Sequence, residues 1–220
     1  MHDVAHVDLV ARARSRTRRY TDEVSGPDEN LELIKRILGQ GYLELRLMRL
    51  SMEEVPELAA RVVVEVSENG TATTIEGEGV GPIDALWGAL VGRYAREYQS
   101  LKSLALAGFS VSAAIESKRR KAGLDALARV ELAVQNSEHK RFTFHDESRS
   151  VTISAARAVI AIAEYFVNAE RAFVTLFHAR KDALQRGRPD LVARYTAELA
   201  EVVKSTSYAE VIESLRKELT

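Results

Sequence analysis

The chain contains no cysteine among its 220 residues, which excludes disulfide bonds, thiolate nucleophiles and zinc–thiolate sites together. It also lacks an excess of either charge. Its 31 lysines and arginines stand against 32 aspartates and glutamates, which argues against nucleic acid or an anionic membrane as the main partner. There is no run of about 18 apolar residues to cross a bilayer and no apolar segment of a secretory signal near the N-terminus. These absences predict a cytoplasmic protein with no nucleic acid and no membrane as partner.

Catalytic and metal-binding signatures are missing as well. No two histidines have the spacing that places two imidazole rings on one metal ion; the five are His2, His6, His139, His145 and His178. The sequence has neither a Gly-x-Ser-x-Gly motif nor a pair of carboxylates suited to acid–base chemistry. It therefore predicts no catalytic residue, no metal and no cofactor.

Four segments are predicted along the chain. They are a basic polar arm at 1–28, a helical linker at 29–58, a main domain at 59–178 and a helical extension at 187–220. The arginines of the arm are more typical of a solvated segment than of a nucleic-acid site. The linker is predicted as two short helices, broken at Gly39–Gly41 and ending near Pro56. Pro189 is expected to open a helix in the extension.

Alternating apolar residues in the main domain predict strands, and stretches with helical spacing follow them. Arg61–Ser67 and Thr71–Gly77 are predicted as strands joined by a turn at Asn69-Gly70, and Ile83–Tyr94 as an amphipathic helix. Three more strands and a second helix come next, at Leu104–Glu116, Ala126–Val134, Phe142–Phe144 and Ile153–Phe177. This order predicts an α+β fold of two pseudo-repeated strand–strand–helix units, with an antiparallel sheet, helices on one side and helical extensions at both ends.

The helix Ile153–Phe177 is apolar on more than one side. A single sheet covers only one side of a helix, so a second helix or a second subunit must cover the rest. We predict a homodimer with this helix at the interface, and the terminal helices are the alternative cover. The predicted interface residues are Ile153, Val159, Ile160, Phe166, Val167, Phe173 and Val174.

A glycine-rich turn, Gly-Glu-Gly-Val-Gly-Pro-Ile-Asp-Ala-Leu from Gly77 to Leu86, precedes the first helix of the main domain. Gly81 can cap that helix, Pro82 suits its first position, and Asp84 complements the positive end of its dipole. The pattern is neither the dinucleotide fingerprint nor a phosphate loop. It indicates either a ligand-binding turn, because helix N–H groups point at the same spot, or a tight turn without a ligand. The neighbours Gly79 and Pro82 predict that the backbone of Gly81 is held close to a ligand or to the facing subunit. Replacing Gly81 with valine is expected to cost about 1–3 kcal/mol if the residue has a positive φ or touches a neighbour.

This turn, the helix through Tyr94 and the strand that follows resemble the C-terminal regulatory (dimerisation) domain of the 2-isopropylmalate synthase and citramalate synthase family. A second, weaker match is Gly41-Tyr42-Leu43-Glu44. The resemblance implies a homodimer that binds a branched-chain amino acid as feedback inhibitor near the dimer interface. The catalytic half of the family is a barrel of about 250 residues with a metal-binding His-x-His motif, and neither is present. The chain is therefore not expected to be a synthase, nor an enzyme.

The resemblance also implies a set of ligand-binding positions. They are Gly79, Gly81, Ile83 and Asp84 at the turn and helix start, Leu106, Phe109 and Ala113 on the next strand, and Ala126 on the one after. Helix N–H groups would suit the ligand carboxylate, Asp84 the ammonium, and the apolar residues an aliphatic side chain. The sequence departs from the family in two places. Near Phe109, Gly108 stands where the family usually has Asp, and Phe109 stands where it usually has Tyr. In the second unit, Ser148–Thr152 has no glycine where the glycine turn should repeat.

The sequence leaves two functions open. One is a regulatory module that binds a branched-chain amino acid or related small acid, acting in trans on a separate synthase subunit. The other is a structural or interaction protein that retains the dimerisation fold with a degenerate pocket. An enzyme that uses the glycine turn as an anion site is less favoured, because no base or nucleophile accompanies the turn.

Overall fold

The computed structural model describes residues 28–113, 127–203 and 211–212 of the chain. The basic arm, the segment that contains Ala126 and most of the chain after residue 203 therefore lie outside the described residues. The elements are α1 Asp28–Leu38, a 3-10 turn Gly39–Gly41, β1 Leu45–Glu53, β2 Ala60–Glu68, β3 Thr71–Gly79, α2 Pro82–Tyr94, α3 Gln99–Lys102, β4 Ala105–Ala113, β5 Ala128–Gln135, β6 Arg141–Ser148, α4 Val151–Gln185 and α5 Pro189–Val203.

The elements form two successive units, each with three antiparallel strands followed by a helix. The strand orders are β1-β2-β3 and β4-β5-β6; α2 follows the first sheet and α4 the second. Each helix packs on strands of its own sheet, and the two helices pack on each other, while α4 also reaches β1. The α+β fold and the pseudo-repeat are thereby confirmed.

The prediction of a second helix in the linker is wrong, because Leu45–Glu53 forms the first strand of the first sheet. The pairing of β1 with β2 shifts between Leu47 and Arg49, which leaves Met48 as an extra residue in a bulge. A bulge moves the later side chains by one position along the strand. The apolar residues therefore fall at 45, 47, 50 and 52 instead of alternating throughout, and this interrupted pattern is easily mistaken for helical spacing.

The turn between β2 and β3 is the predicted Asn-Gly hairpin. Asn69 and Gly70 have φ values of 50° and 90°, as a two-residue turn of this class requires. The side chain of Asn69 also accepts a hydrogen bond from the backbone N–H of Glu44 at 2.7 Å. The turn thus holds the start of β1 in place.

The predicted dimer interface on α4 lies mostly inside the chain. Val159, Phe166 and Val167 are fully buried, and Ile160 and Phe173 nearly so; Ile153 and Val174 are partly buried. The second sheet, α2, β1, α1 and α5 all pack on α4. The several apolar sides of the helix are therefore covered by other parts of the same chain, so they do not require a second subunit.

Helix α4 is long and apolar enough to cross a membrane by length and composition, so the expectation that no such segment exists is wrong in this respect. However, 67% of its most apolar stretch is buried inside the fold. Its rings also form an aromatic cluster, in which Phe166 lies edge-on to Phe142 and to Tyr165 with ring centroids 5.2 Å apart in each pair. Because most of this stretch is buried, the apolar composition of α4 is explained by its place in the core of the fold.

The C-terminal helix α5 packs on α4 and α1. A small apolar cluster forms there around Phe173, Leu176, Val202 and Val211. It is separate from the main core between the sheets and helices. Helix α5 and Val211 therefore cover the C-terminal part of α4 around Phe173 and Leu176.

Candidate functional site

The glycine turn before α2 has the predicted cap but not the predicted strain at Gly81. Gly81 is the N-cap of α2, with Pro82 in the first turn, and Asp84 accepts a hydrogen bond from the backbone N–H of Val80 at 3.0 Å. Gly81 has an extended backbone, with φ −153° and ψ 176°. No described atom lies within 4 Å of a Cβ built there. Gly81 therefore has neither a positive φ nor a close neighbour among the described residues of its own chain, and its closeness to a ligand or to a facing subunit stays a prediction.

The crowded glycines are Gly77 and Gly79, which face α2 from the end of β3. A Cβ on Gly77 would lie 2.6 Å from the Cβ of Ala89 and 2.8 Å from the carbonyl oxygen of Ala85. A Cβ on Gly79 would meet the backbone nitrogen of Ala85 and lie 2.7 Å from a carboxylate oxygen of Asp84. These two glycines let α2 lie directly on β3, so intrachain packing explains them without a ligand.

Serines take the place of the glycines at the corresponding turn of the second unit. Ser148 exchanges hydrogen bonds with the backbone of Ser150 and bonds to the hydroxyl of Ser154 at 2.8 Å. Ser150 caps α4 by accepting a hydrogen bond from the N–H of Ile153 at 3.3 Å. By contrast, no side chain in the described part of the chain caps α2. Of these two helices, α2 is therefore the one whose N-terminus has no side-chain cap to compete with a bound anion.

The predicted ligand residues on β4 lie on an apolar face that is open to solvent. Leu106, Phe109 and Val111 pair with Val134, Leu132 and Val130 of β5. Those three β5 residues are fully buried, whereas Leu106, Phe109 and Val111 are 37%, 44% and 45% exposed. Residues paired across neighbouring strands share a face. The core face of the second sheet is therefore uncovered at β4. Ala113 ends this strand.

The two halves of the predicted site, the α2 turn and β4, make at most marginal contact with each other within one protomer. No cavity described in the chain is lined both by residues of the α2 turn and by residues of β4. Ile83 packs partly buried against the main core, and Asp84 is exposed. Gly108 faces the other side of β4, where a Cβ would lie 3.5 Å from Ala133.

Sequence reasoning missed a polar clamp between α4 and the start of β1. Glu164 accepts hydrogen bonds at 2.8 Å from the hydroxyl of Tyr42 and from the N–H of Leu45. The buried side chain of Asn168 accepts from the N–H of Leu43 and donates to its carbonyl oxygen, both at 2.8 Å. The signal was present, because Glu164 and Asn168 are polar residues one turn apart in an otherwise apolar stretch.

Burial raises the pKa of Tyr42 well above its usual value, and the bond to Glu164 raises it further. The pKa of Tyr94 is raised in the same way, by burial and by the hydrogen bond that its hydroxyl donates to Glu68 at 2.7 Å. Glu170 holds the start of α3 through the N–H groups of Gln99 and Ser100. These polar groups satisfy backbone and side-chain partners inside the fold, which is a structural role.

Two cavities lie against α4, and Ala161 and Glu164 line both of them. One of about 360 Å³ is lined by Leu31, Tyr42, Arg129, Glu131, Thr143, Phe144, His145, Ala161, Glu164 and Tyr165. The other, of about 380 Å³, lies between α4 and β1 and includes Leu47 and Arg157. Among the described residues, no group of three or more His, Asp or Glu side chains is arranged to hold a metal ion.

The chain matches the model of a known protein family. The model of the LeuA allosteric (dimerisation) domain matches residues 28–167, from the start of α1 to the middle of α4. The match includes the Gly41–Glu44 segment, the glycine turn and β4. No curated protein matches the chain.

Proposed function

Because the chain belongs to the LeuA allosteric (dimerisation) domain family, we propose that it is a non-catalytic regulatory module that self-associates and binds a branched-chain amino acid or a related small acid. The matched family describes a regulatory domain, and the match covers most of both units. The same proposal includes action in trans on a separate synthase subunit. The resemblance of the glycine turn to the 2-isopropylmalate and citramalate synthases supports this choice of ligand and partner.

The observation that carries the proposal is the uncovered core face of β4. Leu106, Phe109 and Val111 continue the apolar rows of the second sheet into solvent. Apolar patches of this kind mark sites of association or ligand binding. In a dimerisation family, a second copy of the chain is the natural partner for this face.

The ligand would bind where the uncapped start of α2 meets this face. Helix N–H groups favour a carboxylate, and the exposed Asp84 favours an ammonium group. Leu106 and Phe109 offer an apolar surface for an aliphatic side chain. Since the α2 turn and β4 make at most marginal contact within a protomer, the proposed site forms across two subunits.

The alternative is an interaction protein that keeps the dimerisation fold without a working pocket. Two observations favour it. Packing against α2 already explains Gly77 and Gly79, and serine bonds close the turn at Ser148–Ser150 in the second unit. On this alternative the chain self-associates but responds to no amino acid.

Two measurements on the full chain test the proposal. Light scattering should show a dimer at micromolar concentration, and thermal unfolding should shift upward with leucine, isoleucine, valine or a 2-keto acid, because a ligand of the native state adds stability. Asp84→Ala should lose the shift, whereas Ser110→Ala, next to Phe109 on the strand, should keep it. A monomer would refute self-association. A dimer with no response at millimolar concentration would refute ligand binding and support the interaction protein.

A further inference from the structure

The two units correspond strand by strand, including an irregularity in the first strand of each. The pairing of β4 with β5 shifts between Leu106 and Gly108, as the pairing of β1 with β2 shifts between Leu47 and Arg49. Each bulge contains one extra residue, which is Met48 in β1 and Ala107 in β4. The inward residues Leu47, Leu50 and Met52 of β1 therefore correspond to Leu106, Phe109 and Val111 of β4.

These corresponding faces differ in what covers them. On β1 the three inward residues are partly buried and pack on the main core. Helix α4 of the other unit packs on β1, and its residues Arg157, Ile160 and Ala161 line a cavity together with Leu47. On β4 the corresponding residues are 37–45% exposed, and none of the described helices makes more than marginal contact with this strand.

The helix that should cover β4 by this correspondence is α2. Counted from the N-caps Gly81 and Ser150, Gly88 corresponds to Arg157 and Gly92 to Ala161. Gly88 and Gly92 are exposed. A Cβ on Gly92 would have no described atom within 4 Å, and one on Gly88 would meet only the carbonyl oxygen of Glu78 at 3.8 Å. Thus a helix face is open on α2 and a strand face is open on β4.

We propose that the α2 face around Gly88 and Gly92 packs on the inner face of β4 of a second copy of this chain. This contact between two chains is equivalent to the contact that α4 makes with β1 within one chain. Around a twofold axis, the α2 of each copy packs on the β4 of the other copy. The four units of the two chains therefore close into a ring, and both the α2 face and the β4 face are covered. Helix glycines lower helix stability relative to alanine, and here they let the helix backbone approach Phe109 closely. The inference rests on the proposed self-association and names the surfaces that meet.

Charged substitutions on each face test this arrangement in the full chain. Gly92→Lys adds a side chain where the protomer leaves open space, so the protomer should fold. Phe109→Glu changes a residue that is exposed in the protomer. Each should weaken self-association by about tenfold or more, since a charge would be buried without a partner. The controls Ala193→Lys, exposed on α5, and Ser110→Lys, on the other side of β4, should associate as the wild type does.

Mixing the two variants distinguishes the proposed pairing from any other use of these surfaces. In a mixed dimer the native α2 of the Phe109→Glu chain meets the native β4 of the Gly92→Lys chain, and the two substituted faces carry opposite charges. Sedimentation velocity should therefore show restored dimers in the mixture. If neither variant weakens the dimer, or if mixing restores nothing, the pairing is wrong while self-association stands. A monomeric wild type overturns both.

Discussion

Glycine has two distinct uses in the turn before α2. Gly77 and Gly79 are needed because the helix lies where their side chains would be. Gly81 has an extended backbone that any residue adopts, with open space around it. The three glycines look equivalent in the sequence, but only the first two are fixed by packing.

Alanine at these positions should separate the two uses. Gly79→Ala places a Cβ against the backbone of Ala85, which cannot move without shifting α2, and should cost about 1–3 kcal/mol of unfolding free energy. Gly81→Ala should change stability by less than about 0.5 kcal/mol. Urea unfolding of both variants checks this. Equal costs would show that α2 does not rest on Gly79.

Asn168 should be the costliest single polar truncation in the clamp. Asn168→Ala leaves the partly buried N–H and carbonyl of Leu43 without their side-chain partners, which should cost about 2–3 kcal/mol. Tyr42→Phe removes one hydrogen bond at a partly exposed site and should cost about 0.5–1.5 kcal/mol. Chemical denaturation gives both values, and the reverse order would contradict the clamp.

The buried tyrosines should make the fold sensitive to alkali. Folding raises the pKa of Tyr42 and of Tyr94 above the usual 10.0. The unfolded chain therefore loses these protons first, and stability that is fully present below pH 10 should fall as pH rises above it. Urea titrations from neutral pH to beyond this value measure the fall. Tyr94→Phe should reduce the slope of the unfolding free energy against pH. An unchanged slope would contradict the raised pKa of Tyr94.

At the scale of elements, the strand β1 shows how a bulge hides a strand. Its edge position and its single extra residue break the alternation that identifies β2 from sequence. The same irregularity at the same place in β4 indicates that the bulge belongs to the repeated unit. Bulges also protect edge strands against unwanted pairing.

Deleting Met48 should be tolerated because it turns β1 into a regular strand. The flanking pairs Leu47 with Val66 and Arg49 with Glu65 become consecutive, so every later side chain keeps its face. We expect a cost below about 1 kcal/mol. Deleting Val63 from β2 instead moves Val64 and Val66 between faces and should prevent folding. Circular dichroism and thermal unfolding distinguish the two, and loss of folding without Met48 would contradict the pairing.

At the scale of the whole molecule, the chain has one main core and a smaller apolar cluster. The first lies between the sheets and the helices α2 and α4. The second joins the distal part of α4 to α1 and α5, with an ion pair of 3.3 Å between Arg36 and Glu198. The two clusters share α4 as their support but bury different segments of it.

Val202→Asp should therefore loosen α5 and leave the main core folded. A carboxylate at this fully buried site has no room for hydration, and Phe173 and Leu176 would become exposed. We expect increased binding of an apolar dye with the main thermal transition preserved. Glu201→Asp, at the exposed neighbouring position, is the control. Loss of all structure would show that the clusters are not separable.

The sequence alone determined what local preferences specify. Strict alternation of valines at 62, 64 and 66 identified β2, Asn69-Gly70 identified the hairpin, and Gly81-Pro82 located the start of α2. Each signal depends on neighbouring residues only. The α+β class and the family resemblance followed from these signals, and the structure and the family match confirm both.

Tertiary structure decided which surfaces meet. The apolar pattern of α4 shows that several sides need cover, but only long-range packing shows that β1, α1, α2 and α5 provide it. Likewise, β4 and β2 have similar apolar alternation, yet one inner face is open and the other buried. The apolar pattern of a segment shows how much of its surface must be buried. It does not show which segment covers that surface, because the covering segments lie far away in the sequence.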